Sequence, residues 1–551
     1  MDIYPVLAFT LSLFTTIVLI PVLIKIAERF QLVDQPGGRK GHVKPVPRLG
    51  GIAMAAGVWL PIFLWMDLSP TLKTVLCGMA VLSIVGLLDD LLTLDWKAKL
   101  LAQTGVAVLV VLYGKIEISY LGYWSGQDVF LPVWLSVPLS VLFIVGVTNA
   151  INLADGLDGL AAGICLFIFG LLAFLAYLQG ATEYLIPLAA LIGSIWGFLR
   201  FNTFPAIIFM GDSGSYLLGF SAAVFSVLCT QLQGSAVAPS IVLVILGIPV
   251  VDTLVVMIER FLKRQPVFKA DRRHVHYRLV RLGFSHREAV IIIYVVQAVL
   301  VYAALRLTFL PDFIVLASFL EFVLLVIGGL FWATKKGWRF KKIRQRENSI
   351  SSLFGGNAGL WLVRLPLVLT SGLLCIYVVA LSILPHSDLA RFGWALLGIP
   401  ITVIACFFLK RDWFNIVSRA GIYCFLAVTT YTLVQDAGGL SRATVWYWLF
   451  LGTISLLACA TLVYIKFAGP DVFWVTPLDV LIVLVTLAVP LLPVEATQRQ
   501  NMGLLLISLI VLYFSVEVAL SQGSSRWQVL HTAVALGGFV VGTRSVVRLF
   551  L

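Results

Sequence analysis

The sequence predicts an all-α polytopic membrane protein, with a core of about eleven transmembrane helices followed by about six further ones. Hydrophobic residues make up 60% of the 551 residues. Charged residues make up 12%, about half the ~25% usual in a soluble domain, and mean hydropathy is +1.01. The apolar residues also run continuously over stretches of roughly 17–25, the length a helix needs to cross a bilayer. An outer-membrane barrel would alternate apolar and polar residues in short strands instead.

The core spans fall near residues 5–25, 50–67, 72–88, 98–113, 131–150, 159–178, 184–199, 214–230, 238–258, 289–309 and 313–333. Asp2 is the only charge ahead of the first, which has no basic leader and no obvious cleavage site, so it is expected to be kept as a span. With the N-terminus outside, the inner loops carry 25 of the 28 Lys and Arg residues up to Arg346, leaving Lys73, Lys115 and Arg306 outside. That asymmetry predicts an N-out orientation. The basic run KKGWRFKKIRQR (335–346) and the polar ENSISSLFGGN after it mark the best boundary, dividing 1–346 from an extension, 347–551. In the extension, spans are expected near 359–384, 392–409, 420–434, 444–465, 478–493 and 502–520, and a last apolar stretch, 529–543, is short for a crossing.

The net charge of +12 is a topological excess of Lys and Arg in inner loops. The basic residues are dispersed between spans, which argues against a nucleic-acid partner. The seven cysteines lie inside apolar runs without a CxxC pair and read as small core hydrophobes.

Acids inside or beside spans are costly, so where they fall is informative. Asp89 and Asp90 close the third span. Asn149, Asn152, Asp155 and Asp158 (NAINLADGLDGLAAG) join the fifth to the sixth, and Asn202 and Asp212 lie between the seventh and eighth (FNTFPAIIFMGDSGS). All fall on the inner side, with His42, His274, His276 and His286, while the opposite side looks nearly featureless. Each has a plainer reading alone: a solvated helix-end pair for Asp89 and Asp90, a helix cap for GDSGS, surface loop residues for the histidines. Independent surface residues would not all choose one face. Carboxylates and amides suit a hard cation such as Mg²⁺, glycine turns bring backbone N–H groups to phosphate oxygens, and Arg39, Lys40, Lys44, Arg48, Arg272 and Arg273 supply charge for a diphosphate. These are the parts of a phosphoryl-transfer site. A secondary transporter is the alternative from another class, but it would place its ionisable groups near the midplane in paired halves.

The ordered strings DQPGGRKGHVKPVPRLGG (Asp34–Gly51), GLLDD, NAINLADGLDGLAAG, FNTFPAIIFMGDSGS and DRRHVHYRL resemble the polyprenyl-phosphate N-acetylhexosamine-1-phosphate transferase superfamily (glycosyltransferase family 4), over roughly residues 1–335. The likeness is to its bacterial undecaprenyl-phosphate GlcNAc-1-phosphate transferases. The resemblance implies transfer of N-acetylhexosamine 1-phosphate, most simply GlcNAc 1-phosphate, from a UDP-sugar to undecaprenyl phosphate with release of UMP. It implies Mg²⁺, with Mn²⁺ as a substitute, on Asn152 and Asp212. Asp89, Asp90, Asp155 and Asp158 match its catalytic acids, Asp89 as the group that orients or deprotonates the lipid phosphate. Lys44, Arg48, Asn202, Arg272, Arg273, His274 and His276 are the corresponding substrate-binding candidates. His-Val-His followed by Tyr277 departs from the three-histidine run of the branch that transfers phospho-muramoyl-pentapeptide, and disfavours that alternative. The expected setting is the bacterial inner membrane, among its lipids, with the active site cytoplasmic. The extension lies outside the common core: a partner scaffold, a lipid-handling module or an oligomer interface, for which a homodimer is one assembly.

Overall fold

With no water in the bilayer core, an apolar run must satisfy its own backbone, and helices do so. The computed structural model describes residues 4–34, 45–262 except 67, 125 and 233, then 264, 274–336, 357–383, 445–467, 476–488 and 496–520, with shorter pieces in 421–430 and 530–544. Among these, nine helices are long and apolar enough to cross a membrane. The described residues divide into two compact units, Met1–Lys341 with Thr476–Val485, and Lys342–Val475 with Thr486–Leu551.

The first unit contains α1 (Tyr4–Arg29), α2 (Gly50–Trp65), α3 (Pro70–Leu92), α4 (Trp96–Leu112), α5 (Val133–Ala154), α6 (Leu160–Leu178), α7 (Leu185–Asn202), α8 (Gly211–Thr230), α9 (Ile241–Ile245), α10 (Gly247–Leu262), α11 (Val275–Arg281), α12 (His286–Leu307) and α13 (Asp312–Lys335). Every expected core span is helical, and the ninth is broken at Leu246 into α9 and α10. Pro249 explains the break, since it has no N–H to give to the Ile245 carbonyl. That carbonyl instead accepts from Gln297 Nε2 at 2.9 Å. Local signals start other helices. Ser69 caps α3 ahead of Pro70, and Ser285 with Glu288 forms a capping box on α12.

Helix α8 is the centre of this unit. Its apolar window is wholly buried, against α2, α3, α5 and α6. Its small residues (Ser213, Gly214, Ser215, Gly219, Ser221, Ala222, Ala223, Ser226) let neighbouring backbones come close, as membrane helix interfaces require. Large apolar side chains on α1, α5 and α13 point outward, including Val6, Trp134 and Leu324, where lipid takes the place of water.

Connections alternate between the two ends of the unit. At one end β1 (Val33–Asp34) pairs antiparallel with β2 (Val46–Pro47). At the other, β3 (Tyr120–Trp124) and β4 (Gln127–Phe130) form a hairpin. This second end is not featureless, contrary to the sequence expectation. Gln231 Oε1 accepts from the N–H groups of Ser119 and Tyr120 at 3.1 and 2.9 Å, and its amide donates to Tyr120 O at 2.9 Å. Asp312 holds Tyr123 N and Ser240 N, each at 3.0 Å, and Ser240 Oγ at 2.6 Å. Charge asymmetry locates loops but does not reveal polar groups that are consumed by the backbone.

In the second unit, α14 (Asn357–Ile383), α15 (Val445–Phe467) and α17 (Ala496–Leu520) pack around Leu374, Tyr377, Phe425, Leu457 and Val516. Thr461 and Ser515 share a buried hydrogen bond of 2.9 Å. Next in sequence after α15 comes α16 (Pro477–Ala488), whose residues up to Val485 belong to the first unit. The expected span 392–409 and most of 420–434 lie outside the described residues.

Candidate active site

Four helix ends meet at the end of the first unit that carries β1 and β2. Helix α3 delivers Asp89 and Asp90 in its last turn, which closes on a left-handed Thr93 (φ 51°). Asp89 Oδ1 accepts from Leu94 N at 2.8 Å, and Oδ2 contacts the ammonium of Lys99 from the start of α4. The same ammonium lies 3.6 Å from Asp212 Oδ2. From α5, Asn152 Nδ2 donates to Asp212 Oδ1 at 2.8 Å and to Ser215 Oγ at 2.7 Å. Asp89, Lys99, Asn152 and Asp212 thus form one cluster drawn from α3, α4, α5 and α8.

Asp90 faces differently. Its oxygens accept from the backbone N–H groups of Asp212 (3.0 Å) and Ser213 (3.2 Å), which caps α8 from outside the helix and fixes where Asp212 sits. The turn into α8 needs Gly211 at φ +71°, because a Cβ there would lie 2.4 Å from Asp90 Oδ2 and 2.6 Å from Arg48 O. The chain around Arg48 runs alongside, with Gly50 N bonded to Phe209 O and Gly51 N to Met210 O. Arg48 itself pairs with Asp34 at 3.0 Å, and its charge bears on both Asp90 and Asp155.

The turn from α5 to α6 brings the other acids. Asp158 Oδ2 accepts from Ala206 N at 3.0 Å, and Asp158 N donates to His286 Nε2 at 2.9 Å. Asn202 binds both loops at once, accepting from Gly159 N (2.8 Å) and donating to Ile208 O (2.9 Å). Tyr294 Oη donates to Gly159 O at 2.7 Å. Asp158 and Asn202 therefore hold the two loops together, while Asp155 has no such tie among the described contacts. Burial, with Asp212, Asp158 and Asp90 nearby, pushes the Asp155 carboxyl up to about 7, and Arg48 works against that rise. Asn149 turns away, to Gln103 Oε1 at 2.6 Å.

The histidine segment closes the far side. His274 Nδ1 lies 2.9 Å from Asp252 Oδ2, and both residues are buried. The rings of His274 and His276 lie nearly parallel, 5.8 Å apart. His276 Nε2 is buried without a hydrogen-bond partner and faces Gly156 so closely that a Cβ there would come within 2.2 Å. Burial pushes the His276 imidazole down to about 4, so it is neutral at pH 7. Beneath this segment an apolar cavity of about 270 Å³ opens between α10, α11, α12 and α13, with Asp252 as the one ionisable residue among the described residues of its wall.

Lys44, Arg272 and Arg273, with Arg39, Lys40 and His42, lie outside the described residues. Sequence reasoning missed Lys99 and Asp252, and gave His286 no role. A lysine at the start of a helix, where the dipole disfavours cations, was a readable signal for Lys99. A lone acid in PVVDTLVV was one for Asp252. Among the described residues no group of three or more His, Cys, Asp or Glu side chains could hold a metal. The Asn152 amide meets the Asp212 carboxylate through its nitrogen, and by turning over it can present its oxygen beside that carboxylate instead. This set could hold a cation that takes its remaining ligands from water and phosphate.

The sequence model of glycosyl transferase family 4 matches residues 72–230, which contain most of this cluster. A probable undecaprenyl-phosphate N-acetylglucosaminyl 1-phosphate transferase of Bacillus subtilis is 37% identical over 324 residues, 58% of this chain and 89% of that protein. The undecaprenyl-phosphate alpha-N-acetylglucosaminyl 1-phosphate transferase of Yersinia pestis is 30% identical over 329 residues, again 58% and 89%. A decaprenyl-phosphate N-acetylglucosaminephosphotransferase of Mycobacterium leprae is 33% identical over 313 residues, 51% and 77%. Likeness of this extent, falling on the residues that the fold gathers at one end of the bundle, shows that the chain belongs to glycosyl transferase family 4, in the polyprenyl-phosphate sugar-1-phosphate transferase superfamily.

Proposed function

We propose that this protein transfers N-acetylglucosamine 1-phosphate from UDP-N-acetylglucosamine to undecaprenyl phosphate, releasing UMP and starting a lipid-linked cell-envelope glycan such as O-antigen or teichoic acid. The observation that carries the reading is the Asp89–Lys99–Asp212–Asn152 cluster at the ends of four apolar helices. A lipid acceptor stays in the bilayer and a charged nucleotide stays in water, so their reaction belongs where spans end. The names of the relatives supply the acceptor and the sugar, and the excess of Lys and Arg in the loops at this end supports a cytoplasmic face of the inner membrane.

In this reading an oxygen of the lipid phosphate attacks the sugar-bearing phosphorus of the donor. A new P–O bond forms there while the bond to the oxygen shared with UMP breaks, and UMP carries that oxygen away. Asp89 orients the lipid phosphate and needs little basicity, because a phosphate monoester is mostly ionised at pH 7. Lys99, now shared by Asp89 and Asp212, offsets repulsion as two anionic phosphates approach. Arg48 adds charge from the α2 side. Asn152 and Asp212 would hold Mg²⁺, which would neutralise charge on the donor diphosphate. Asp90, Asp158 and Asn202 keep α8 and the two loops in register.

The test is UMP release by the full-length protein in detergent with undecaprenyl phosphate, Mg²⁺ and UDP-N-acetylglucosamine, beside UDP-N-acetylgalactosamine and UDP-muramoyl-pentapeptide. Activity with the first donor, lost on chelation and in Asp212→Asn, is expected. Silence in folded protein with all three, or activity with the muramoyl donor alone, would overturn the reading.

A further inference from the structure

Asp252 belongs to none of the motifs that point to the reaction, yet it is a buried carboxylate in the wall of an apolar cavity. Such a group is costly unless its oxygens are bonded. Both are. Oδ1 accepts from Val275 N at 2.6 Å, the first N–H of α11, and Oδ2 lies 2.9 Å from His274 Nδ1. One side chain on α10 therefore fixes both the backbone and the ring at the start of the histidine segment. A carboxylate oxygen only accepts, so the ring nitrogen that faces it carries the hydrogen. His276 follows one residue after Val275, its ring nearly parallel to that of His274 and its Nε2 against Gly156 of the acidic turn. Setting His274 and Val275 thus also sets where His276 meets that turn.

We propose that Asp252 is a positioning residue that fixes His274 as its Nδ1–H tautomer, so that Nε2 is presented bare, as a hydrogen-bond acceptor for a hydroxyl or amide N–H of the donor sugar. This rests on the reading of the site as a sugar-1-phosphate transferase. That His274 and His276 face substrate is already implied by the family resemblance; the role of Asp252 and the tautomer it sets is not.

Asp252→Asn separates tautomer from shape. The amide oxygen still accepts from Val275, but the amide NH₂ now faces Nδ1 and favours the opposite tautomer, with hydrogen on Nε2. In the full-length protein with UDP-N-acetylglucosamine, kcat is expected to fall on the order of 10- to 100-fold, the scale on which losing the carboxylate behind a metal-bound imidazole is felt. KM for the lipid should be unchanged. In a His274→Gln background the same change should cost less than about 2-fold more, because the two residues act as one unit. Equal losses in both backgrounds, or none in either, would overturn the proposal. The tautomer is also read directly by ¹⁵N NMR of histidine-labelled wild-type protein, with the His274 signals assigned by their loss in His274→Gln. A protonated Nδ1 and a bare Nε2 are expected, and an Nε2–H or doubly protonated ring overturns the proposal even if Asp252→Asn does not fold. If the wild type releases no UMP from any donor, the reading of the reaction fails while the NMR result still decides the tautomer.

Discussion

At one end of the first unit, Asp312 accepts hydrogen bonds from Tyr123 and Ser240, and Gln231 closes three bonds onto Ser119 and Tyr120. At the other end, Asp155 carries a carboxyl raised to about 7, His276 keeps a buried nitrogen without a partner, and Lys99 is shared between two acids. Both ends are polar caps on an apolar bundle, and both contain buried acids. They differ in whether these particular groups are satisfied within the chain. Where they are, polarity fastens helices together. Where they are not, the unspent valence and charge are what a substrate would meet. Buried polarity alone is therefore a poor guide to a site, and incomplete satisfaction is a better one.

Substitutions at the two ends should have opposite consequences. Asp212→Asn should have the largest effect, a loss of UMP release on the order of 10³-fold with the fold retained, measured as turnover beside a thermal melt. Asp89→Asn should cost less if Asp89 only orients or deprotonates a phosphate that is already ionised. Lys99→Met should lower kcat on the order of 10²-fold, with Lys99→Arg recovering part of it, since the arginine keeps the charge that Asp89 and Asp212 share. A Lys99→Met enzyme with full activity would remove that residue from the site.

Asp312→Ala should do the reverse of these. Losing an acceptor for part-buried N–H groups should destabilise by about 1 kcal/mol, seen as a lower melting temperature, with kcat within about 2-fold of wild type. A large loss of activity at unchanged stability would erase the distinction between the ends.

The smallest effects concern pH. Asp155 is raised from an ordinary carboxylate value near 3.8 to about 7 in the folded protein. The folded state then holds a proton that the unfolded chain has released. Its contribution to stability is complete below about pH 4 and is lost as pH rises through 7. Asp155→Asn should accordingly raise the melting temperature at pH 8 and leave it nearly unchanged at pH 4, measured without divalent ions. His276 has the opposite sense. Its folded value near 4 lies below the ordinary 6.5, so its contribution is present above pH 6.5 and is lost as pH falls toward 4. His276→Gln should flatten the acid side of the stability profile between these values.

Much of this was legible in the residues. Span positions follow from hydropathy, because a bilayer admits hardly any backbone but helix at those lengths. The gathering of Asp89, Asp90, Asn152, Asp155, Asp158, Asn202 and Asp212 at one end follows from counting spans. Division of labour among them did not follow. Asp90 and Asp89 are neighbours in sequence, yet one caps α8 and the other meets Lys99. Nothing in the string DD distinguishes them.

Hydropathy along the chain sets where the core spans lie and which acids and amides share an end, and the motifs carry the family resemblance. Those properties depend on local composition and on the parity of crossings, and both can be read along the chain. Tertiary packing sets the rest: Asp90 bonds to the start of α8, Lys99 stands between Asp89 and Asp212, Asp252 holds His274, and Asp312 at the far end is spent on backbone and hydroxyl donors. Such pairings join residues many positions apart, as Asp90 and Asp212 are, and depend on helix rotation and on approach distances of a few ångströms. A hydropathy pattern sets which residues share an end of a bundle, and the packing of side chains around α8 sets which of them touch.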